Sequence, residues 1–102
     1  MRALKHPKTD DIELTRVLYA LSDPVRLDVV RQLDREGEAT CAALDGGRPK
    51  SSMSHHFKIL REAGVLLTEK AGKEHFNRLR AAELEKRFPG LLRAVLRAAK
   101  GR

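Results

Sequence analysis

Residues 40–64 constrain the fold of this chain more than any other stretch. Thr40 precedes a short run, Cys41 to Asp45. The turn Gly46-Gly47-Arg48-Pro49 follows, and then a run with helical periodicity over residues 50–63 that stops at Gly64. A threonine hydroxyl suits the cap of a helix because it accepts a bond from a free N–H of the first turn. Glycine pairs and an Arg-Pro step break regular structure into a turn. The pattern therefore predicts a short helix with Ala42 and Leu44 inward, a tight turn, and a long helix: a helix-turn-helix arrangement.

The long helix separates into two faces. At about 100° per residue, Met53, His56, Phe57, Leu60 and Ala63 fall on one side, with Ile59 at its edge. Ser51, Ser54, His55, Lys58 and Glu62 fall opposite, with Lys50 and Ser52 flanking the first turn. In units of this kind the second helix enters the DNA major groove, led by its N-terminal residues. Small hydroxyl side chains let a helix approach base edges closely and can bond bases or phosphates. Serines also gather at helix starts because they cap, so geometry alone leaves both readings open. His56 is expected to pack on the core side. His55 points outward, toward a phosphate, a base or solvent. Neighbouring residues on a helix diverge by about 100°, so the pair makes a poor metal clamp.

Around this unit, residues 1–9 carry Arg2, Lys5, His6 and Lys8 and read as a loose basic arm. A helix is expected from Asp10, supported at its start by Asp11 and Glu13 and periodic in Ile12, Leu14, Val17, Leu18 and Leu21. Asp23 is a good N-cap and Pro24 fits the first helical position. The second helix then runs to Glu36, burying Leu27, Val30 and Leu33, and ends at Gly37. Val65 to Glu69 and Glu74 to Leu79 flank Lys70-Ala71-Gly72-Lys73 and read as a β-hairpin. As a wing, its tip would set Lys70 and Lys73 against the DNA backbone; an ordinary exposed turn is the plainer alternative. The expected fold is one domain over residues 1–102, mostly α, with about five helices and a two-stranded wing.

The final helical region, residues 81–100, is interrupted at Pro89. Leu91, Leu92, Val95, Leu96 and Ala99 cover a broad arc, leaving Arg93, Arg97 and Lys100 as a narrow polar stripe. An arc wider than one face serves two contacts. One is the domain's own core, and the other is the matching helix of a second subunit beside Leu14, Val17 and Leu18. A helix that only closes its own core is the alternative. A homodimer is favoured because a two-fold protein reads a two-fold site, and a chain of 102 residues has a small core.

Charge narrows the partners. Lys plus Arg total 21 against 14 acidic residues, a net charge of +7, which favours nucleic acid first and anionic membrane second. No apolar run approaches the ~20 residues of a membrane span, and the opening MRALKHPKTDDIE has no apolar block of a secretory signal. A cytoplasmic protein is expected. One cysteine allows no internal disulfide, and the scattered histidines make no zinc-finger pattern. A lone Cys on a short helix most often packs as a small apolar residue. No Gly-rich phosphate loop or supported Ser/His/Asp set suggests an enzyme or a cofactor. A basic module that binds a protein or an anionic membrane is the competing class. Against it, the cations sit at the helix-turn-helix and hairpin rather than along one amphipathic helix.

Three stretches resemble the ArsR/SmtB class of winged-helix repressors: LYALSDPVRLDVVRQL (18–33), SSMSHHFKILREAGVL (51–66) and GKEHFNRL (72–79). Ser54, His56, Lys58, Leu60, Ala63 and Gly64 fall in register with the family's recognition helix. The resemblance implies a homodimeric repressor of double-stranded operator DNA, released by an inducer. By this reading Lys50, Ser51, Ser52, Ser54, His55, Lys58, Lys70 and Lys73 meet DNA, while Leu14, Val17, Leu18, Leu91, Leu92, Val95 and Leu96 form the dimer contact. Many relatives sense metals, through a cysteine pair on the short helix or Asp and His on the C-terminal helix. Here EATCAAL (38–44) holds one cysteine between the two family positions, and residues 80–102 hold no His, Cys or Asp. No metal is therefore expected at either site, and the inducer is open. A metal- or thiol-responsive repressor using Cys41 or the histidines in another way is the alternative.

Overall fold

The computed structural model describes residues 2–100. Asp23 begins the best-defined helix, α2 (Pro24–Glu36). Its carboxylate accepts from the Val25 and Arg26 N–H groups at 2.9 and 3.0 Å, Pro24 occupies the first turn, and Gly37 closes the helix at φ 82°. Val29, Val30 and Leu33 are buried. Leu27, expected among them, is only half-buried because Val29 takes the inward position.

The first helix starts later than its sequence suggests. Asp10 and Asp11 lie in a 3-10 turn (Thr9–Asp11), and α1 spans Leu14–Leu21. Between them Ile12 and Glu13 are extended. That break lets Ile12, 1% exposed, reach into the core, while its carbonyl accepts from Arg87 at 2.6 Å.

The helix-turn-helix forms as expected. Thr40 accepts from the Ala43 N–H at 3.1 Å to cap α3 (Cys41–Leu44). Leu44 is buried but Ala42 is exposed, because so short a helix has little inward surface. The long helix α4 covers Lys50–Glu62. Met53, Phe57, Leu60 and Ala63 are buried, and Ile59 packs half-buried at the edge.

The wing is a hairpin, as expected, and it sits inside a larger sheet. Strands β1 (Arg2–Ala3), β2 (Ala39–Thr40), β3 (Leu66–Ala71) and β4 (Glu74–Leu79) form an antiparallel sheet in the order β1-β3-β4-β2. Both edges of the hairpin offer backbone groups that need partners, and the arm and the α2–α3 connection supply them. The arm is therefore not loose. Arg2 pairs with Lys70, Leu4 donates to the Thr68 carbonyl at 3.0 Å, and His6 Nε2 accepts from the Thr68 N–H at 2.9 Å. Burial, helped by the Arg80 and Arg61 cations, holds the His6 imidazole below its ordinary pKa, which keeps that nitrogen free to accept. Under the sheet, the Thr68 hydroxyl donates to Asn77 Oδ1 at 2.7 Å, and Asn77 Nδ2 donates to the Ala39 carbonyl at 3.3 Å.

The last segment forms two helices, α5 (Ala81–Arg87) and α6 (Leu91–Lys100), broken at Phe88-Pro89-Gly90. Among the described residues there are thus six α-helices rather than about five.

The cap at α2 gives the first expected result. Asp23→Ala should cost about 1 kcal/mol, as loss of an N-cap does, measured by urea melts at neutral pH. Bonds from the Arg26 and Val25 N–H groups favour the charged carboxylate, so its pKa is lowered. Its contribution is therefore present above the unfolded value near 4 and lost as pH falls through the folded value. The gap between wild type and variant should close in acid; a gap that persists there would rule the carboxylate out as its source.

Candidate nucleic-acid interface

Two contacts from α2 hold α3 and the turn before α4. Arg48 Nη2 lies 3.2 Å from Asp28 Oδ2, and Gln32 Nε2 donates to the Ala43 carbonyl at 3.2 Å. A third fastening sits under the helix. The buried Arg26 guanidinium donates from Nε to the Ala20 carbonyl at 2.8 Å and from Nη2 to the Tyr19 carbonyl at 3.1 Å. Its Nη1 lies 3.2 Å from His56 Nδ1, toward which an arginine can only donate. His56 is thus half-buried and partnered, as its side of the helix predicts, with Asp23 3.8 Å away. One side chain therefore ties the end of α1 and the start of α2 to the recognition helix. Sequence reasoning overlooked Arg26. The available signal was a cation just beyond the end of α1, whose last carbonyls need donors.

Held this way, α4 presents Lys50, Ser51, Ser52, Ser54, His55 and Lys58, all exposed. The Ser52 hydroxyl donates to the Pro49 carbonyl at 3.0 Å, so one serine does serve the helix start. While that bond holds, Ser52 offers an incoming group only its lone pairs.

On the wing, Lys73 occupies the turn beside Gly72, whose φ of 63° suits a tight hairpin. Lys70 does not. It lies within β3 opposite His75, and is exposed beside Arg2 across the β1–β3 ladder. Arg2 is thus a third exposed cation at the wing, which the expectation of a loose arm concealed. Arg78, by contrast, is paired with Glu69 at 2.8 Å.

Cys41 is half-buried, and its sulfur accepts from Asn77 Nδ2 at 3.3 Å. Burial pushes its thiol pKa up, which works against a reactive thiolate. Among the described residues, no three His, Cys, Asp or Glu side chains converge to hold a metal ion. No helix of the described residues is long and apolar enough to cross a membrane.

The expected dimer residues divide. Leu14 and Leu18 are each 44% exposed, next to Tyr19 at 60%. Val17 is 1% exposed and belongs to the protomer's own core, because α1 turns that face toward α2 and α4. Leu91, Leu92, Val95 and Leu96 are half-buried, packed on the core with part of each side chain open.

This is the architecture of a winged-helix DNA-binding domain, and the comparisons agree. A helix-turn-helix domain family matches residues 21–69. The HTH-type transcriptional regulator YceK of Bacillus subtilis is 32% identical over 91 residues, covering 86% of this chain and 91% of YceK. The arsenical resistance operon repressor of Escherichia coli is 44% identical over 57 residues, covering 52% of this chain and 47% of that repressor. The crystal structure of the ArsR family transcriptional regulator RHA00566 matches with a TM-score of 0.68 and 25% identity, covering 79% of this chain and 90% of that one. The chain belongs to the ArsR/SmtB-type family of helix-turn-helix transcriptional regulators.

Proposed function

We propose that this protein is a homodimeric, cytoplasmic repressor that reads operator DNA with the start of α4 and clamps the flanking backbone with its wing. The observation that carries this reading is the exposed face formed by Lys50, Ser51, Ser52, Ser54, His55 and Lys58, on a helix fixed from beneath by Arg26 and His56. Lys70 and Lys73 add phosphate contacts, with Arg2 beside them. In this assignment Ser52 accepts from a base amino group, His55 reads a base edge, and Ser51 and Lys50 position the helix on phosphates. Half-sites lie about one helical turn apart. It is not an enzyme and takes no cofactor. Its release signal does not pass through a cysteine pair on α3, where Cys41 stands alone, or through Asp and His on α6, which carries neither.

Selection from a random duplex pool, followed by anisotropy titration, tests this. A palindromic site is expected, with affinity falling by a log–log salt slope of about −0.9 for each phosphate neutralised. Lys73→Ala should weaken every sequence alike. Ser52→Ala and His55→Ala should each flatten discrimination by about 1–3 kcal/mol at one base pair. Salt-dependent binding with no sequence preference would instead identify a general basic module.

A further inference from the structure

A cleft of about 400 Å³ opens between the arm, α3, α4 and the wing. That volume lies within the range of small-molecule sites, which combine an apolar body with a few placed polar groups. Here Leu4, Ala42 and Phe57 supply apolar wall, and Lys50, Arg61 and Lys73 supply cations. Lys50 and Lys73 are exposed, while Arg61 is half-buried and close enough to Cys41 and His6 to act on the charge of both. An apolar wall with exposed and half-buried cations fits a molecule that is apolar and negatively charged. Asp45 and Glu74 also line the cleft. They oppose a second negative charge, so a monoanion fits better than a polyanion.

We propose that this cleft binds a small organic monoanion, an aromatic or aliphatic body bearing one carboxylate or sulfonate, and that its occupant excludes DNA by direct overlap. The overlap rests on the DNA-reading surface proposed above. Lys50, Ser54 and Lys73 line the cleft and also belong to that surface, so ligand and operator compete for the same side chains. The protein is then released without a change of dimer state. Direct competition has a distinct signature: the apparent operator dissociation constant rises without limit as ligand is added. Allosteric coupling instead reaches a plateau fixed by the coupling factor.

The probe is 8-anilinonaphthalene-1-sulfonate, an apolar monoanion whose fluorescence rises on leaving water. The full-length protein should bind it, selected operator DNA should displace it, and operator affinity should fall in proportion to probe concentration. Arg61→Ala should weaken the probe about tenfold while leaving probe-free operator affinity within twofold. Arg61→Lys should restore most of the loss, and Ala42→Phe, which fills the cleft from exposed α3, should also weaken the probe. The inference is overturned if both loss variants bind the probe like wild type, if the operator curve reaches a plateau, or if Arg61→Ala cuts probe-free operator affinity tenfold. Absence of a selected operator would defeat the repressor reading alone, since the Arg61 and Ala42 titrations read the cleft without DNA.

Discussion

Gly64→Ala should lower the unfolding free energy by about 2–5 kcal/mol. The residue sits at φ 89°, and a Cβ there would stand 2.6 Å from Ile12 Cγ1 and 2.8 Å from its Cδ1. The left-handed backbone accounts for roughly 1–2 kcal/mol with a side chain, and overpacking adds about 1–3 kcal/mol. Ile12 cannot give way cheaply, since it is buried and its carbonyl is held by Arg87. A domain has only about 5–15 kcal/mol in total, so the variant should be close to half unfolded in mild urea. Gly72→Ala provides the control. Its φ is 63° but nothing lies within 4 Å of the added carbon, so it should show the backbone part alone. Equal losses for the two variants in urea melts would remove Ile12 from the explanation.

Leu18→Glu should divide the protein into monomers and cut operator affinity at least a hundredfold. Leu18 is 44% exposed beside Leu14 and Tyr19, so a protomer carrying glutamate there loses little of its own packing. In a two-fold contact the change is made twice, and each unpaired buried charge costs several kcal/mol. A monomer retains one recognition helix and one wing, and so one half-site. Light scattering reads the mass and anisotropy reads the affinity. An unchanged mass for both Leu18→Glu and Leu92→Glu would place the interface elsewhere.

Most of the recognition unit was legible because its signals are local. Thr40, Gly46-Gly47, Gly64 and the spacing of Met53, Phe57 and Leu60 each act within a few residues, and the structure keeps them. Asp23-Pro24 belongs to the same class. What escaped depends on distant partners. The strand at Arg2–Ala3 exists only because β3 has an open edge, and two residues give no alternation to detect. The late start of α1 follows from the pocket that Gly64 leaves for Ile12. Arg26 reads as a surface cation until the carbonyls of Tyr19 and Ala20 converge on it. The same limit applied to the candidate site. The exposed face of α4 followed from periodicity, whereas Arg2 beside Lys70 and the cleft behind Lys50 needed the arm brought against the wing and α4.

The pairing of Arg2 with Lys70 also bears on the order in which the domain is made. During synthesis the first strand leaves the ribosome well before its partner. The β3–β4 hairpin closes through a tight local turn and can pair as soon as residue 79 is free. The arm must close a loop spanning most of the chain, and contacts of such long separation form slowly. Until then β3 has a bare edge on the face proposed to meet DNA. The arm therefore joins the sheet as an edge strand only after the helical core has drawn it to β3.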